Sequence, residues 1–140
     1  MSDGLAREKS FFAEVITSNF TKHLGVWEVE EAQANFLAFK FYLDAKKHLN
    51  SIDSLHGGVI LSLVDTAMGS ACKNLSRKIT TLDLNINFIK RATPAGYLRV
   101  TAHVIHNGSK TMVAESEVYD SENRLIAKAR GTFFVLGELE

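Results

Sequence analysis

The run from Val59 to Cys72 constrains the fold most strongly, because most of its positions are apolar. The polar or small residues Ser62, Asp65, Thr66 and Gly69 fall at positions i, i+3, i+4 and i+7, which places them on one narrow seam of an α-helix. A helix that is apolar around most of its circumference is buried. The sequence therefore predicts a core helix from roughly Gly57 to Asn74, with one polar seam that contains a carboxylate.

Strand-like patterns lie on both sides of this helix along the chain. Residues 25–42 are rich in β-branched and aromatic side chains and predict two strands that meet near Glu31 to Ala34, and a loop follows over 44–56. Four more strands are predicted after the helix, at Thr80 to Ile89, Leu98 to His106, Lys110 to Tyr119 and Arg124 to Leu136. The first of these alternates strictly, which predicts one face made of Leu82, Leu84, Ile86 and Phe88.

The order of these elements indicates the fold class. Only one helix lies between strands, so the alternation typical of a parallel doubly wound sheet is missing. Asn107-Gly108-Ser109 is a hairpin signal, and a periodic pattern from Ala6 to His23 predicts an N-terminal helix that closes near Gly25. We expect a single α+β domain over residues 1–140, in which a mainly antiparallel sheet packs on one long helix.

Charge and composition restrict the partners and the compartment. Lys+Arg and Asp+Glu are balanced at 16 each, so the basic footprint of a nucleic-acid binder is missing. The longest strongly apolar stretch, near Val59 to Leu63, is too short to cross a bilayer, and no signal peptide is expected at the N-terminus. The single cysteine, Cys72, is expected to be a small buried side chain. We expect a cytoplasmic protein with no nucleic-acid or membrane partner.

Asp65 is the first candidate for chemistry. Burying a carboxylate without partners is costly, so such a group is normally hydrogen-bonded, paired or functional. One interpretation is structural, with Asp65 bonded to Ser62, to Thr66 or to a neighbouring strand. The other interpretation is catalytic.

His56-Gly57-Gly58 is the second candidate, because it stands where the core helix begins. The first N–H groups of a helix lack intrahelical partners and carry partial positive charge. Two glycines there let a ligand approach the backbone, which suits a carbonyl oxygen that gains negative charge during acyl transfer. The alternative is that the glycines only form a tight turn.

The spacing of Gly57 and Asp65 limits how they can act together. Eight residues along a helix correspond to about 12 Å, whereas a catalytic carboxylate and an oxyanion donor must both lie about 3 Å from the reacting group. If both residues are catalytic, Gly57 of one subunit must face Asp65 of another. The sequence then implies a composite site across a two-fold interface.

The motif as a whole resembles the hotdog-fold thioesterases, specifically the PaaI-like acyl-CoA thioesterases. The likeness is carried by Asn50, His56-Gly57-Gly58, Asp65-Thr66, Thr81 with Leu82-Asp83-Leu84-Asn85, and the Pro94 turn. It implies a curved antiparallel sheet of about six strands wrapped around the long helix. It also implies a homodimer as the minimal active unit, doubled to a homotetramer, that hydrolyses acyl-CoA without a metal or other cofactor.

The resemblance also implies roles for single residues. Asp65 would be the general base or the nucleophile, and the Gly57 N–H would polarise the thioester carbonyl. His56 would lie beside the thioester, Asn50 would position water or the carbonyl, and Thr81 would orient water or the carboxylate. Each of these three has a structural alternative, as a helix cap, a loop residue and a strand residue respectively. The sequence departs from the group at Asp53, where glycine is frequent.

Binding residues and the acyl group are less constrained. The candidates for substrate and CoA contacts are Gly58, Arg91 and Lys110, since phosphates favour basic side chains and backbone N–H donors, although each basic residue is also an ordinary surface charge. The candidates for the acyl pocket are Phe11, Phe12, Phe20, Leu61 and Met68, which fit an aromatic or a medium-to-long aliphatic group.

Two other functions are compatible with the same architecture. One is a hotdog-fold enoyl-thioester hydratase or dehydratase, although Gly57-Gly58 stands where the acyl-carrier dehydratases have a proline-rich run. The other is a non-catalytic acyl-CoA-binding module, although regulators of that kind usually add a DNA-binding segment. Assays with enoyl and 3-hydroxyacyl thioesters separate the first from hydrolysis, and tight binding without turnover identifies the second.

Overall fold

A computed structural model describes residues 18–139 of the chain. Its helices are α1 (Asn19–Leu24) and α2 (Gly57–Lys73). Its strands are β1 (Val26–Gln33), β2 (Phe36–Tyr42), β3 (Arg77–Phe88), β4 (Tyr97–Asn107), β5 (Thr111–Asp120) and β6 (Leu125–Glu138). The predicted core helix and all six predicted strands are confirmed, with ends that differ by a few residues.

Helix α1 follows a cap at Ser18. Ser18 has extended backbone angles (φ −65°, ψ 160°) and caps α1, because its hydroxyl oxygen accepts from the Thr21 N–H. The prediction of one unbroken helix from Ala6 to His23 was therefore wrong at Ser18, whose extended backbone and capping side chain mark the start of α1. The residues before Ser18 lie outside the described part, and α1 ends at Gly25 as predicted.

The six strands form one antiparallel sheet in the order β1-β2-β4-β5-β6-β3. The sheet curves around α2, which packs mainly against β4, β3 and β5. This is the hotdog architecture that the sequence predicts. Strand β3 lies at one edge, and its only strand partner within residues 18–139 is β6.

The core lies between α2 and the concave face of the sheet. Leu63 and Met68 of α2 are fully buried, as are Phe39, Phe41 and Phe133 of the strands. Burying each of these side chains contributes about 1.5–3 kcal/mol. Within residues 18–139, no helix is both long enough and apolar enough to cross a membrane.

A β-bulge interrupts the alternation of β3. The register shifts between Thr81 and Asp83, so that Thr81 pairs with Phe133, Asp83 pairs with Thr132, and Leu82 is the extra residue. Leu82 is 58% exposed, whereas Leu84 and Ile86 pack against the core. The strict alternation predicted for this strand was therefore wrong at Leu82.

The bulge determines which way Thr81 faces. Its partner Phe133 is fully buried, so Thr81 lies on the same side of the sheet as Leu84 and as α2. Strict alternation would have placed Thr81 and Leu84 on opposite faces. One inserted residue thus brings the Thr81 hydroxyl to the helix.

The loop between β2 and α2 is irregular, as predicted, but it is extensively hydrogen-bonded. The buried His48 ring accepts from the Asp44 N–H at Nδ1 (2.9 Å), and its Nε2 lies 2.6 Å from the Leu24 carbonyl oxygen. The His48 carbonyl accepts from the His56 N–H (2.8 Å). These bonds attach the segment that enters α2 to the end of α1.

Candidate active site

His56 caps the start of α2. Its Nδ1 accepts from the Gly58 N–H (2.8 Å), and its carbonyl oxygen accepts from the Val59 N–H (3.0 Å). The imidazole itself is exposed. A Cβ at position 58 would lie 3.0 Å from His56 Nδ1, so any side chain there would press on the capping imidazole. The predicted capping interpretation of His56 is confirmed, and its Nε2 remains accessible.

The Gly57 N–H is the remaining donor at this end of the helix. No hydrogen bond of this group occurs within residues 18–139, whereas the next two N–H groups are taken by His56. A Cβ at position 57 would lie 3.3 Å from Phe88 Cζ, so the aromatic ring stands directly beside the glycine. The Gly57 N–H is therefore placed to bind an anionic or carbonyl oxygen.

Asp65 lies on the polar seam of α2 and is half-buried. The Thr81 hydroxyl donates to Asp65 Oδ1 over 2.9 Å. Thr81 is therefore bonded directly to the carboxylate that it is predicted to orient. A hydroxyl donor to one carboxylate oxygen leaves the other oxygen available to accept a proton.

Gly57 and Asp65 open into different pockets of the chain. Gly57 lines a pocket of about 300 Å³ with Phe88, Lys90 and Arg91. Asp65 lines a second pocket of about 300 Å³ with Thr81 and other residues of α2 and β3. Gly57 and Asp65, about 12 Å apart along the helix, thus face two separate pockets of one chain.

Asn50 has a structural role in the loop that leads to His56. Its Oδ1 accepts from the Ile52 and Ser54 N–H groups, both at 3.0 Å, and this leaves the two amide hydrogens for other acceptors. Asp53 has φ 58°, in the left-handed region. Glycine is the residue with the lowest cost in that conformation and aspartate tolerates it, so the loop keeps its turn despite the departure at Asp53.

The two basic candidates, Arg91 and Lys110, lie near opposite ends of strand β3. Arg91 is exposed beside Gly57. Lys110 lies in the β4–β5 hairpin, which Arg77 holds at the start of β3 by donating to Asn107 Oδ1 and to the Gly108 carbonyl. Since β3 has 12 residues and a strand rises about 3.3 Å per residue, Arg91 and Lys110 of one chain do not meet.

The contributions of Phe88 and His48 do not follow from the sequence. Phe88 was predicted only as a strand residue, yet it is 56% exposed and contacts the position of Gly57. An aromatic residue at a strand end beside a glycine turn carries no distinct signal.

Within residues 18–139, no three His, Cys, Asp or Glu side chains converge as they would around a metal ion.

Comparison with known proteins assigns the chain to a family. The thioesterase superfamily matches residues 53–127, a range that contains His56, Gly57, Asp65 and Thr81. The chain belongs to the thioesterase superfamily. The predicted enzyme class, a thioester hydrolase, agrees with this superfamily.

Individual members of the thioesterase superfamily resemble the chain over part or most of its length. A putative esterase of Archaeoglobus fulgidus is 34% identical over 93 residues, covering 66% of this chain and 60% of its own. The acyl-coenzyme A thioesterase PaaI of Escherichia coli is 32% identical over 89 residues, covering 64% of each. The alignments thus span less than two thirds of the length of these two relatives.

The fold extends the likeness further than the sequence does. The structure of the E. coli PaaI protein superposes with a TM-score of 0.85 at 26% identity, covering 96% of this chain and 98% of that one. The predicted resemblance to PaaI-like hotdog thioesterases is confirmed.

Proposed function

We propose that the protein hydrolyses acyl-CoA thioesters to the free acid and CoA, with Asp65 as the catalytic carboxylate. The observation that carries the proposal is the half-buried Asp65, which opens into a pocket and accepts a hydrogen bond from Thr81. A carboxylate held in this way is suited to general base or nucleophilic catalysis. The relative PaaI, an acyl-coenzyme A thioesterase, supports the substrate class.

The reaction needs an oxyanion donor as well as the carboxylate. As water or the carboxylate attacks the thioester carbon, negative charge grows on the carbonyl oxygen, which the Gly57 N–H stabilises. When water attacks, Asp65 takes the water proton, the carbon–sulfur bond breaks, and the CoA thiolate then receives that proton. When Asp65 attacks, the thiolate leaves an acyl anhydride on Asp65, and a water molecule hydrolyses this anhydride to the free acid and supplies the proton for the thiolate. The exposed Nε2 of His56 lies beside this centre, and the Asn50 amide is the remaining donor for water or the carbonyl.

Two copies of the chain assemble each site. Each chain holds Gly57 and Asp65 in separate pockets, and the edge strand β3 lies between them along the sheet. That edge exposes Leu82 (58%), Phe88 (56%) and Ile89 (53%), and an unpaired apolar edge favours pairing with another chain. Pairing two β3 edges about a two-fold axis would bring Gly57 of one subunit toward Asp65 of the other. The homodimer is thus the minimal active unit, and we expect two dimers to form a homotetramer.

The CoA moiety of the bound substrate extends from the site on the Gly57 side. Lys90 and Arg91 line the pocket next to Gly57, and guanidinium and ammonium groups bind phosphate oxygens. Lys110 lies near the opposite end of β3, so it is a candidate to contact the CoA molecule that the partner subunit mainly binds. The cytoplasm remains the predicted location.

Release of free thiol from acyl-CoA tests the proposal. We expect Asp65→Ala to abolish turnover and Asp65→Asn to weaken it strongly, because the amide retains the shape without the basic oxygen. Circular dichroism checks that both variants keep the fold. Normal turnover by Asp65→Ala would refute the catalytic assignment.

Gly57 offers a matched pair of variants. It is the first residue of α2, a position where proline is tolerated, and His56 already has the extended backbone (φ −66°, ψ 130°) that a residue before proline adopts. Gly57→Pro removes the N–H and Gly57→Ala retains it, while both add a Cβ beside Phe88. Loss of one oxyanion donor costs about 10²–10³ in kcat, so we expect that loss in Gly57→Pro and a much smaller one in Gly57→Ala.

The two-subunit site is tested by mixing inactive variants. Chains carrying Asp65→Ala and chains carrying Gly57→Pro are unfolded together, refolded and assayed. Mixed dimers contain one intact site of two, so an equal mixture regains roughly a quarter of the wild-type activity. Failure to regain activity, with mixed dimers shown to be present, would mean that one chain supplies both groups.

A further inference from the structure

The pocket that contains Asp65 is a polar groove along α2. Its helical wall consists of Asp65, Thr66, Gly69, Ser70 and Lys73, residues at i, i+1, i+4, i+5 and i+8 that share one face of the helix. None of these five carries an aliphatic or aromatic side chain. The wall therefore continues the polar seam from the carboxylate to the end of the helix.

The opposite wall of the groove is also rich in hydroxyl groups. Ser18 and Thr21 at α1, and Thr80 and Thr81 of β3, line it together with Phe20 and Ile79. The predicted apolar lining is mostly elsewhere: Met68 is fully buried in the core, and Leu61 does not line this pocket, while Phe11 and Phe12 lie outside the described residues. Among residues 18–139, Phe20 is the one of these five that lines the groove, beside Ile79.

A cation stands at the far end of the groove. Lys73 lies eight residues after Asp65, about 12 Å along the axis, and is half-buried. It makes no ion pair within residues 18–139. Arg77, the next cation along the chain, is bonded to Glu138 and to the β4–β5 hairpin instead. Lys73 is therefore the charge that a molecule reaching the end of this groove would meet.

We propose that the groove binds the acyl group and selects acyl chains that end in a carboxylate, which Lys73 accepts. This inference rests on the proposed thioesterase function and specifies its substrate class. The CoA moiety occupies the partner's Lys90 and Arg91 pocket, so the acyl group extends from the thioester past Asp65 toward Lys73. The hydroxyl groups along the groove tolerate the polar chain end, and the Lys73 ammonium donates a charge-assisted hydrogen bond to it.

Paired substrates of equal length test the proposal. The kcat/KM values for succinyl-, adipoyl- and suberoyl-CoA are compared with those for butyryl-, hexanoyl- and octanoyl-CoA. We expect the carboxylate-ended member to be preferred by about tenfold at the chain length that reaches Lys73, since a hydrogen bond to a charged group contributes about 1.5 kcal/mol or more. The preference should peak at one length, because the distance from Asp65 to Lys73 is fixed.

Variants of Lys73 separate substrate recognition from a purely structural role. A lysine in the last turn of a helix also offsets the partial negative charge at that end, but that role alone leaves the ratio between paired substrates unchanged. We expect Lys73→Met to abolish the carboxylate preference and Lys73→Arg to retain it. Lys78→Met removes the same charge from an exposed residue of β3 outside the pocket and should leave the ratio unchanged.

The outcomes test the carboxylate selectivity separately from the proposed thioesterase function. Hydrolysis of both members of every pair with equal efficiency, or a preference that survives Lys73→Met, overturns the carboxylate assignment and leaves the thioesterase function intact. Hydrolysis of no acyl-CoA at all refutes the proposed function, and the substrate class with it.

Discussion

Removing the Thr81 hydroxyl tests how the carboxylate is held. The Thr81→Val substitution deletes the donor to Asp65 Oδ1 while keeping the β-branched shape that suits a strand. A hydrogen bond to a charged group contributes about 1.5–3 kcal/mol. Thr81 is exposed and Asp65 half-buried in the single chain, so we use the lower value, about 1.5 kcal/mol, which corresponds to roughly a tenfold loss of kcat/KM.

The assay is thiol release from acyl-CoA, with two variants for comparison. Thr81→Ser retains the hydroxyl and should stay close to the wild type. Thr132→Val makes the same substitution on the neighbouring strand β6, away from Asp65, and should have no effect on turnover. Unchanged kcat/KM in Thr81→Val, or an equal loss in Thr81→Ser, would refute the role of this hydrogen bond.

Two further predictions concern stability. His56→Ala should lower the free energy of unfolding in urea by about 1 kcal/mol through loss of the helix cap, whereas His56→Asn should restore it because asparagine also caps; equal values for both would contradict the capping role. For Asp120, burial raises the carboxyl pKa, but hydrogen bonds from the Arg124 backbone and side chain and from the Glu122 N–H outweigh it, so the pKa is lowered. The stability it contributes is complete above its ordinary pKa near 4 and is lost as the pH falls through the lowered value. The Asp120→Asn variant should therefore be less stable than the wild type at pH 7 and lose less stability in acid. The measurement is the free energy of unfolding as a function of pH, and the same decrease in acid as in the wild type would contradict this prediction.

The sequence predicts the fold well wherever one face of an element is buried. The apolar periodicity of α2 and the alternation of β4 and β5 follow directly from burial on one side, and both are found in the structure. The cap at Ser18 was not predicted, because a serine within a periodic pattern is compatible with both a helix interior and a cap.

The site is predicted as a set of residues but not as an arrangement. The bulge at Leu82 carries no compositional signal, since a leucine fits either face of an alternating strand, yet it decides that Thr81 reaches Asp65. The polar lining of the Asp65 groove depends on which residues of α1 and β3 close over the helix. Such contacts between distant segments do not follow from local periodicity.

Cys72 is fully buried, as predicted, and this burial has a practical consequence for measuring the enzyme's activity. Burial raises the pKa of its thiol to about 12, so at pH 8 only about one molecule in ten thousand carries the reactive thiolate. A disulfide reagent that reports released CoA by its colour would therefore react with the product and leave the folded protein unmodified. The same reagent in denaturant counts one thiol per chain. The protein thiol that reacts without denaturant, divided by this total, gives the unfolded fraction in the cuvette used for the kinetics.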